Sequence, residues 1–153
     1  MTMYRLSSLY RLPAYAILCL VVGCAAAPLQ EMSDARQALR AAHEVNALQH
    51  APRQLQRAEQ RLSTAEKALN DREVSFDKTR DDAIAAKEEA IKARMIAVAI
   101  AAARNALHDA NMLLVNARQA EEILQRALNA ADKGAVNDAV RYARQAERLA
   151  TEA

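Results

Sequence analysis

The sequence predicts an all-α protein made of elongated helical hairpins that share one long central helix and follow a cleaved signal peptide. Three observations predict it. Beyond residue 23 the chain carries 35 alanines against two aromatic residues (Phe76 and Tyr142) and a single glycine (Gly134). Alanine is the best helix former but buries little apolar area, so this composition favours long thin helices over a wide mixed core. Apolar residues recur at alternating three- and four-residue intervals over several windows, as in a coiled-coil seam. Finally, nothing between Ser75 and Ala131 breaks a helix.

The first 23 residues stand apart. Arg5 and Arg11 occur without an acid, and Leu12 to Val22 is mostly apolar. A positive segment followed by a short apolar one is the layout of a secretory signal peptide. Pro13, Gly23 and Pro28 interrupt the stretch before it reaches the roughly 20 apolar residues of a spanning helix. At its end, Val21-Val22-Gly23-Cys24 resembles the bacterial lipobox, whereas Cys19, preceded by Leu18, does not. The resemblance implies cleavage between Gly23 and Cys24, with acyl chains on the sulfur and amino group of Cys24. More than one chain is needed for stable anchoring, at about 0.8 kcal/mol per buried methylene. Ala25 follows the cysteine where an aspartate would imply retention at the inner membrane, so the resemblance points to the periplasmic face of the outer membrane. The alternatives are an uncleaved anchor helix and an ordinary signal peptide with a chance cysteine.

Removal of the leader leaves 19 basic and 19 acidic side chains and one cysteine. A formally neutral chain whose 14 remaining arginines are interleaved with acids is not expected to bind nucleic acid, and one cysteine allows no intramolecular disulfide. Residues 24–32 read as a tether and residues 33–153 as a single helical domain.

Within that domain, Ser33 and Asp34 supply a helix start, a capping oxygen followed by an acid in the first turn. A stripe then runs through Ala35, Ala38, Leu39, Ala42, Val45 and Leu48 until Pro52 ends one helix and opens the next. The second helix holds the cleanest seam: Leu55, Ala58, Leu62, Ala65 and Leu69. After the polar break at Asn70 to Glu73, a matching stripe comprises Phe76, Thr79, Ala83, Ala86, Ala90, Ala93, Ala97 and Ile100. The tail repeats the arrangement about 60 residues on. Leu55, Ala58 and Leu69 correspond to Leu114, Ala117 and Leu128, and Ala83, Ala86 and Ala90 to Ala143, Ala146 and Ala150. Lys133-Gly134 fits a left-handed helix end between the two helices of the second hairpin. The hairpins span roughly 51–93 and 110–153. An unbroken helix over 75–131 would be about 85 Å long, and a kink near Asp109 to Asn111 would shorten it.

The midpoint, "MIAVAIAAA" from Met95 to Ala103, is apolar on every face. It reads as a segment covered on several sides, and Met95, Ile96, Val98 and Ile100 are the candidate partner surface if one side stays open.

A reactive cluster is not evident. Gly134 alone makes no phosphate loop, and no serine lies in a nucleophile-elbow context. His43 and His50 are seven apart near Glu44 but lack a third strong ligand, so they are expected to be solvated. Glu88-Glu89 and Glu121-Glu122 diverge by about 100° on a helix, which makes them poor acid–base partners. No enzyme activity, cofactor, metal or small-molecule substrate is expected.

The lipobox leader, the "MSDARQAL" opening, the subsequent "AP-x-x-L-x-x-A" start and the alanine-spaced hairpin together resemble the bacterial domain of unknown function 4398 over roughly residues 30–105. The resemblance implies a small envelope lipoprotein and supplies no catalytic residue. "KGAVNDAVRYARQAERLA" also looks like one helix of a tetratricopeptide repeat, too little for that solenoid. A Braun-type lipoprotein ends in a wall-bonded lysine, whereas this sequence ends Thr151-Glu152-Ala153, so covalent wall attachment is not expected. The functional expectation is a structural or scaffold lipoprotein of the envelope, held to the membrane by lipid on Cys24, with another envelope protein or a second copy as its partner. A periplasmic binding module, either a chaperone or a non-covalent peptidoglycan contact, is the alternative.

Overall fold

The computed structural model describes residues 27–71, 75–112 and 117–152. Among them are six helices and no strand: α1 (Leu29–Glu44), α2 (Ala47–His50), α3 (Pro52–Asn70), α4 (Phe76–Met112), α5 (Arg118–Asp132) and α6 (Val136–Glu152). The all-α expectation holds.

Helix α1 begins at Leu29, four residues before Ser33 and inside the segment read as a tether, with Pro28 at its N-cap. The reason is packing: Met32 is fully buried and gains that position only if the helix extends back past it. The other end of α1 also departs from the sequence stripe. Asn46 adopts the left-handed conformation (φ 55°, ψ 40°), which asparagine tolerates better than most side chains. The chain rotates at this residue, so Leu48 points into solvent instead of continuing the stripe. Ala51 is then non-helical (φ −145°, ψ 50°), and Pro52 occupies the first turn of α3, where a missing N–H costs nothing.

The α3 seam follows the spacing through Leu55, Ala58, Leu62 and Ala65, which are buried, but at its end Ala68 is buried and Leu69 only half-buried; α4 presents Thr79, Ala83, Ala86, Ala90, Ala93, Ala97 and Ile100 in the interior. Thr79 is the one polar member, and its hydroxyl donates to the carbonyl of Ser75. Phe76, at the start of α4, is partly exposed.

Helix α4 has 37 residues, about 55 Å at 1.5 Å per residue. It is described as far as Met112, and Ala117 at the N-cap of α5 is not helical, so the continuous 75–131 helix expected from the sequence is not formed. Residues 113–116, including Leu114 of the expected seam, lie outside the described residues. Helix α5 forms a hairpin with α6, and α6 packs along α4. Helix α4 is thus the wall shared by two cores. One joins Met32 and Ala35 of α1, Leu62 and Ala65 of α3, and Ala83 and Ala86 of α4. The larger one gathers α2, the start of α3, the second half of α4, α5 and α6, and Leu39 touches both. Two ion pairs fix the register of α1 along α4: Arg80 with Glu31 at 3.0 Å and Lys87 with Asp34 at 2.8 Å. Hydrogen bonds from Lys87 and Gln30 hold the Asp34 carboxyl below its ordinary range.

The turn between α5 and α6 is closed by a Schellman motif. The Ala135 amide donates to the Ala130 carbonyl and the Gly134 amide to the Ala131 carbonyl, with Gly134 at φ 78°. A Cβ at Gly134 would meet only ordinary contacts, the nearest 3.6 Å away at Arg57 Nη1. The cost of Gly134→Ala is therefore conformational, and chemical denaturation should show a loss of about 1–2 kcal/mol with an unchanged m-value.

Candidate interaction face

The helices around α4 leave one of its faces open. Ile84, Ile91, Met95 and Val98 are all 40–49% exposed. Ile84, Ile91 and Val98 recur every seven residues, which keeps them within about 20° of one line along the helix. Helix α1 stands on one side of this line and α6 on the other. Ile91 and Arg94 contribute to both grooves that result: one of about 270 Å³ against Ala38 and Ala41 of α1, and one of about 510 Å³ against Val140 and Arg144 of α6.

This geometry separates the four residues that the sequence offers as a partner surface. Met95 and Val98 are about half exposed, whereas Ile96 and Ile100 are completely buried. The last two are corrected to core residues, since they belong to the larger cluster with α5 and α6. Ile84 and Ile91 complete the open line and lie outside the surface expected from the sequence. Their seven-residue spacing to Val98 is a signal in the sequence, but the all-round apolar stretch at 95–103 is the stronger one and masks it.

A polar cavity of about 540 Å³ lies at the α5–α6 turn. There the start of α3 supplies donors to carbonyls at the end of α5: Gln54 Nε2 donates to Ala131 at 3.0 Å, beside the Gly134 amide that the same carbonyl accepts, and Arg53 Nη1 donates to Asp132 at 2.7 Å. The last carbonyls of a helix have no partner within the helix, and a cation beside them suits the negative end of the helix dipole.

The histidines do not share a face. His43 bonds Glu59 at 3.1 Å on the surface, while His50 is buried, contrary to the solvated position expected for it. The left-handed Asn46 between them redirects the chain. Arg104 Nη1 lies 3.2 Å from His50 Nδ1. A guanidinium can only donate, so Nδ1 accepts and the ring is neutral. Burial first, and the Arg104 charge second, push the His50 pKa below its ordinary 6.5. The unfolded chain therefore takes up this proton at higher pH than the folded one, and stability falls as pH drops through 6.5. The melting temperature should fall between pH 7.5 and pH 5.5, and should fall less in His50→Gln.

Among the described residues, no three His, Cys, Asp or Glu side chains are grouped to hold a metal, and no helix is long and apolar enough to cross a membrane. Glu88 is exposed, and Glu89 pairs with Lys92 at 2.8 Å. Gly23 and Cys24, the proposed cleavage and lipid positions, lie outside the described residues. No family model matches the chain, and no similar curated protein or solved structure was found.

Proposed function

We propose that this protein is an interaction lipoprotein of the bacterial envelope, lipid-anchored through Cys24 at the periplasmic face of the outer membrane, whose helical body presents α4 to a protein partner. One observation carries the interaction reading: the line Ile84, Ile91, Met95 and Val98 is exposed along the longest helix although α1, α3 and α6 cover its other sides. Leaving apolar side chains in water along several turns forfeits burial energy, and such faces mark docking surfaces. The lipid anchor rests on the Val21-Val22-Gly23-Cys24 motif and on the resemblance to domain of unknown function 4398.

Expression of the full chain in a double-membraned bacterium tests both parts. A photoreactive residue at Val98 should give a discrete adduct in intact envelopes, and the same residue at Lys78, exposed near the far end of α4, should not. Loss of any adduct at Val98 would overturn the interaction reading. Cys24→Ala should leave the membrane fraction, and its retention there would overturn the anchor.

A further inference from the structure

We infer that the groove between α4 and α6 takes an acidic amphipathic helix of a different envelope protein. The inference rests on the reading of α4 as an interaction surface and adds the chemistry of the partner.

The floor of the groove is an unpaired helical seam. Ile91, Met95, Val98 and Ala102 of α4 line it, spaced four, three and four residues apart. At about 100° per residue they fall within about 60° of one another around the helix. Val140, which is buried, closes the floor from the α6 side. A stripe of this spacing is matched by a helix that carries apolar residues at the same intervals. Helix α6 runs parallel to α4, since Lys92 and Asn137 border one cavity while Ala102 and Glu147 border the next. Both walls, from Ile91 to Ala102 and from Asn137 to Arg148, extend about 16 Å, which is three turns of a helix. A flat bilayer has no such period and would meet the arginines on the rim before it reached the recessed floor.

The charges on the rim select the partner. Arg94 stands on α4, and Arg141, Arg144 and Arg148 stand on α6, with Glu147 the one acid in the lining among the described residues. Arg141 bonds Asp138 at 2.8 Å. No acid among the described residues lies within ion-pair distance of Arg94, Arg144 or Arg148. Three arginines without an internal partner therefore face one glutamate, in a chain that is formally neutral beyond its leader. The remaining charges nearby lie outside the groove: Lys87 is held by Asp34 at 2.8 Å, Glu88 precedes Ile91 by a turn, and Glu44 at the end of α1 lines neither groove. Arg94 borders the floor on the α1 side and the α6 arginines border it on the other, so cations flank the seam on both sides. Guanidinium groups pair bidentately with carboxylates, and the complement is a helix with acids on both sides of its apolar stripe. A second copy placed groove to groove presents the same arginines, and residues 1–26 carry two arginines and no acid, so neither supplies that complement.

A photoreactive residue at Val98 of the full chain, in intact envelopes, reads out the occupant, and mass spectrometry of the adduct gives the captured segment. That segment should belong to another protein and carry apolar residues at three- and four-residue intervals flanked by Asp or Glu. Arg94→Glu combined with Arg144→Glu should lower the adduct yield about tenfold. Helicity should not change, because neither arginine holds an internal ion pair. Arg40→Glu, exposed on α1 and lining neither groove, should leave the yield as it is. Changing the flanking acids of the captured segment to Lys should restore the adduct with the doubly reversed chain. Capture of a second copy, of a lipid or of a segment without flanking acids, or a yield indifferent to the double reversal, would overturn the inference. A discrete heterologous protein adduct that ignores the reversal would do so while leaving the proposed function standing, whereas loss of any adduct would overturn both.

Discussion

Ile100→Ala should lower the free energy of unfolding by about 4 kcal/mol, toward the upper end of the range for truncating a buried isoleucine. Ile100 is completely buried in the larger core, where many of its neighbours are alanines. The cost of a cavity depends on how far the surroundings can collapse into it, and an alanine methyl has no rotamer with which to reach inward. The void would persist. Val98→Ala, two residues away on the open face, should change monomer stability by less than about 1 kcal/mol, because Val98 is about half exposed. Urea titration of both variants checks the contrast, and equal losses would contradict the division of the 95–103 segment into buried and open sides.

Enlarging a seam alanine should be almost as damaging. Ala143→Leu is expected to cost about 3 kcal/mol, since Ala143 is fully buried at the centre of the inner stripe of α6, between Ala139 and Ala146. Alanine seams let helices approach to the short end of the usual 8–10 Å spacing, and a leucine must either push α6 outward or adopt a strained rotamer. The intrinsic helix propensities of the two residues are close. The loss measured by urea unfolding would therefore report packing.

The alanine seams are legible in the sequence because each long helix has a polar side. The spacing of Leu55, Ala58, Leu62 and Ala65 is visible only against Arg57, Glu59 and Arg61 between them. Where that contrast disappears, so does the information. From Met95 to Ala103 every face is apolar, and nothing local distinguishes Ile96 from Val98. The difference is set by where α1 and α6 lie. The break before α5 is hidden for a related reason: Ala117, the non-helical residue at its N-cap, is neither proline nor glycine and carries no local breaker signal. Asn46 does carry a signal, as a residue tolerant of the left-handed region, but the apolar stripe continuing to Leu48 outweighs it. Lys133-Gly134 is legible because a glycine at a helix end has a specific backbone role. For the interaction face, the heptad spacing is present in the sequence, while the exposure of Ile84 and Ile91 requires the arrangement of three helices.

The alanine-lined interior has a consequence for how the protein responds to temperature. The heat capacity change of unfolding grows with apolar surface exposed and shrinks with polar surface exposed. Here the two cores are closed largely by methyl groups, while long helices withdraw many peptide groups from water. The heat capacity increment per residue should therefore fall below the usual value of about 12–15 cal/mol/K. A small increment flattens the stability curve, so this chain would lose little stability on cooling and approach its melting point along a shallow slope.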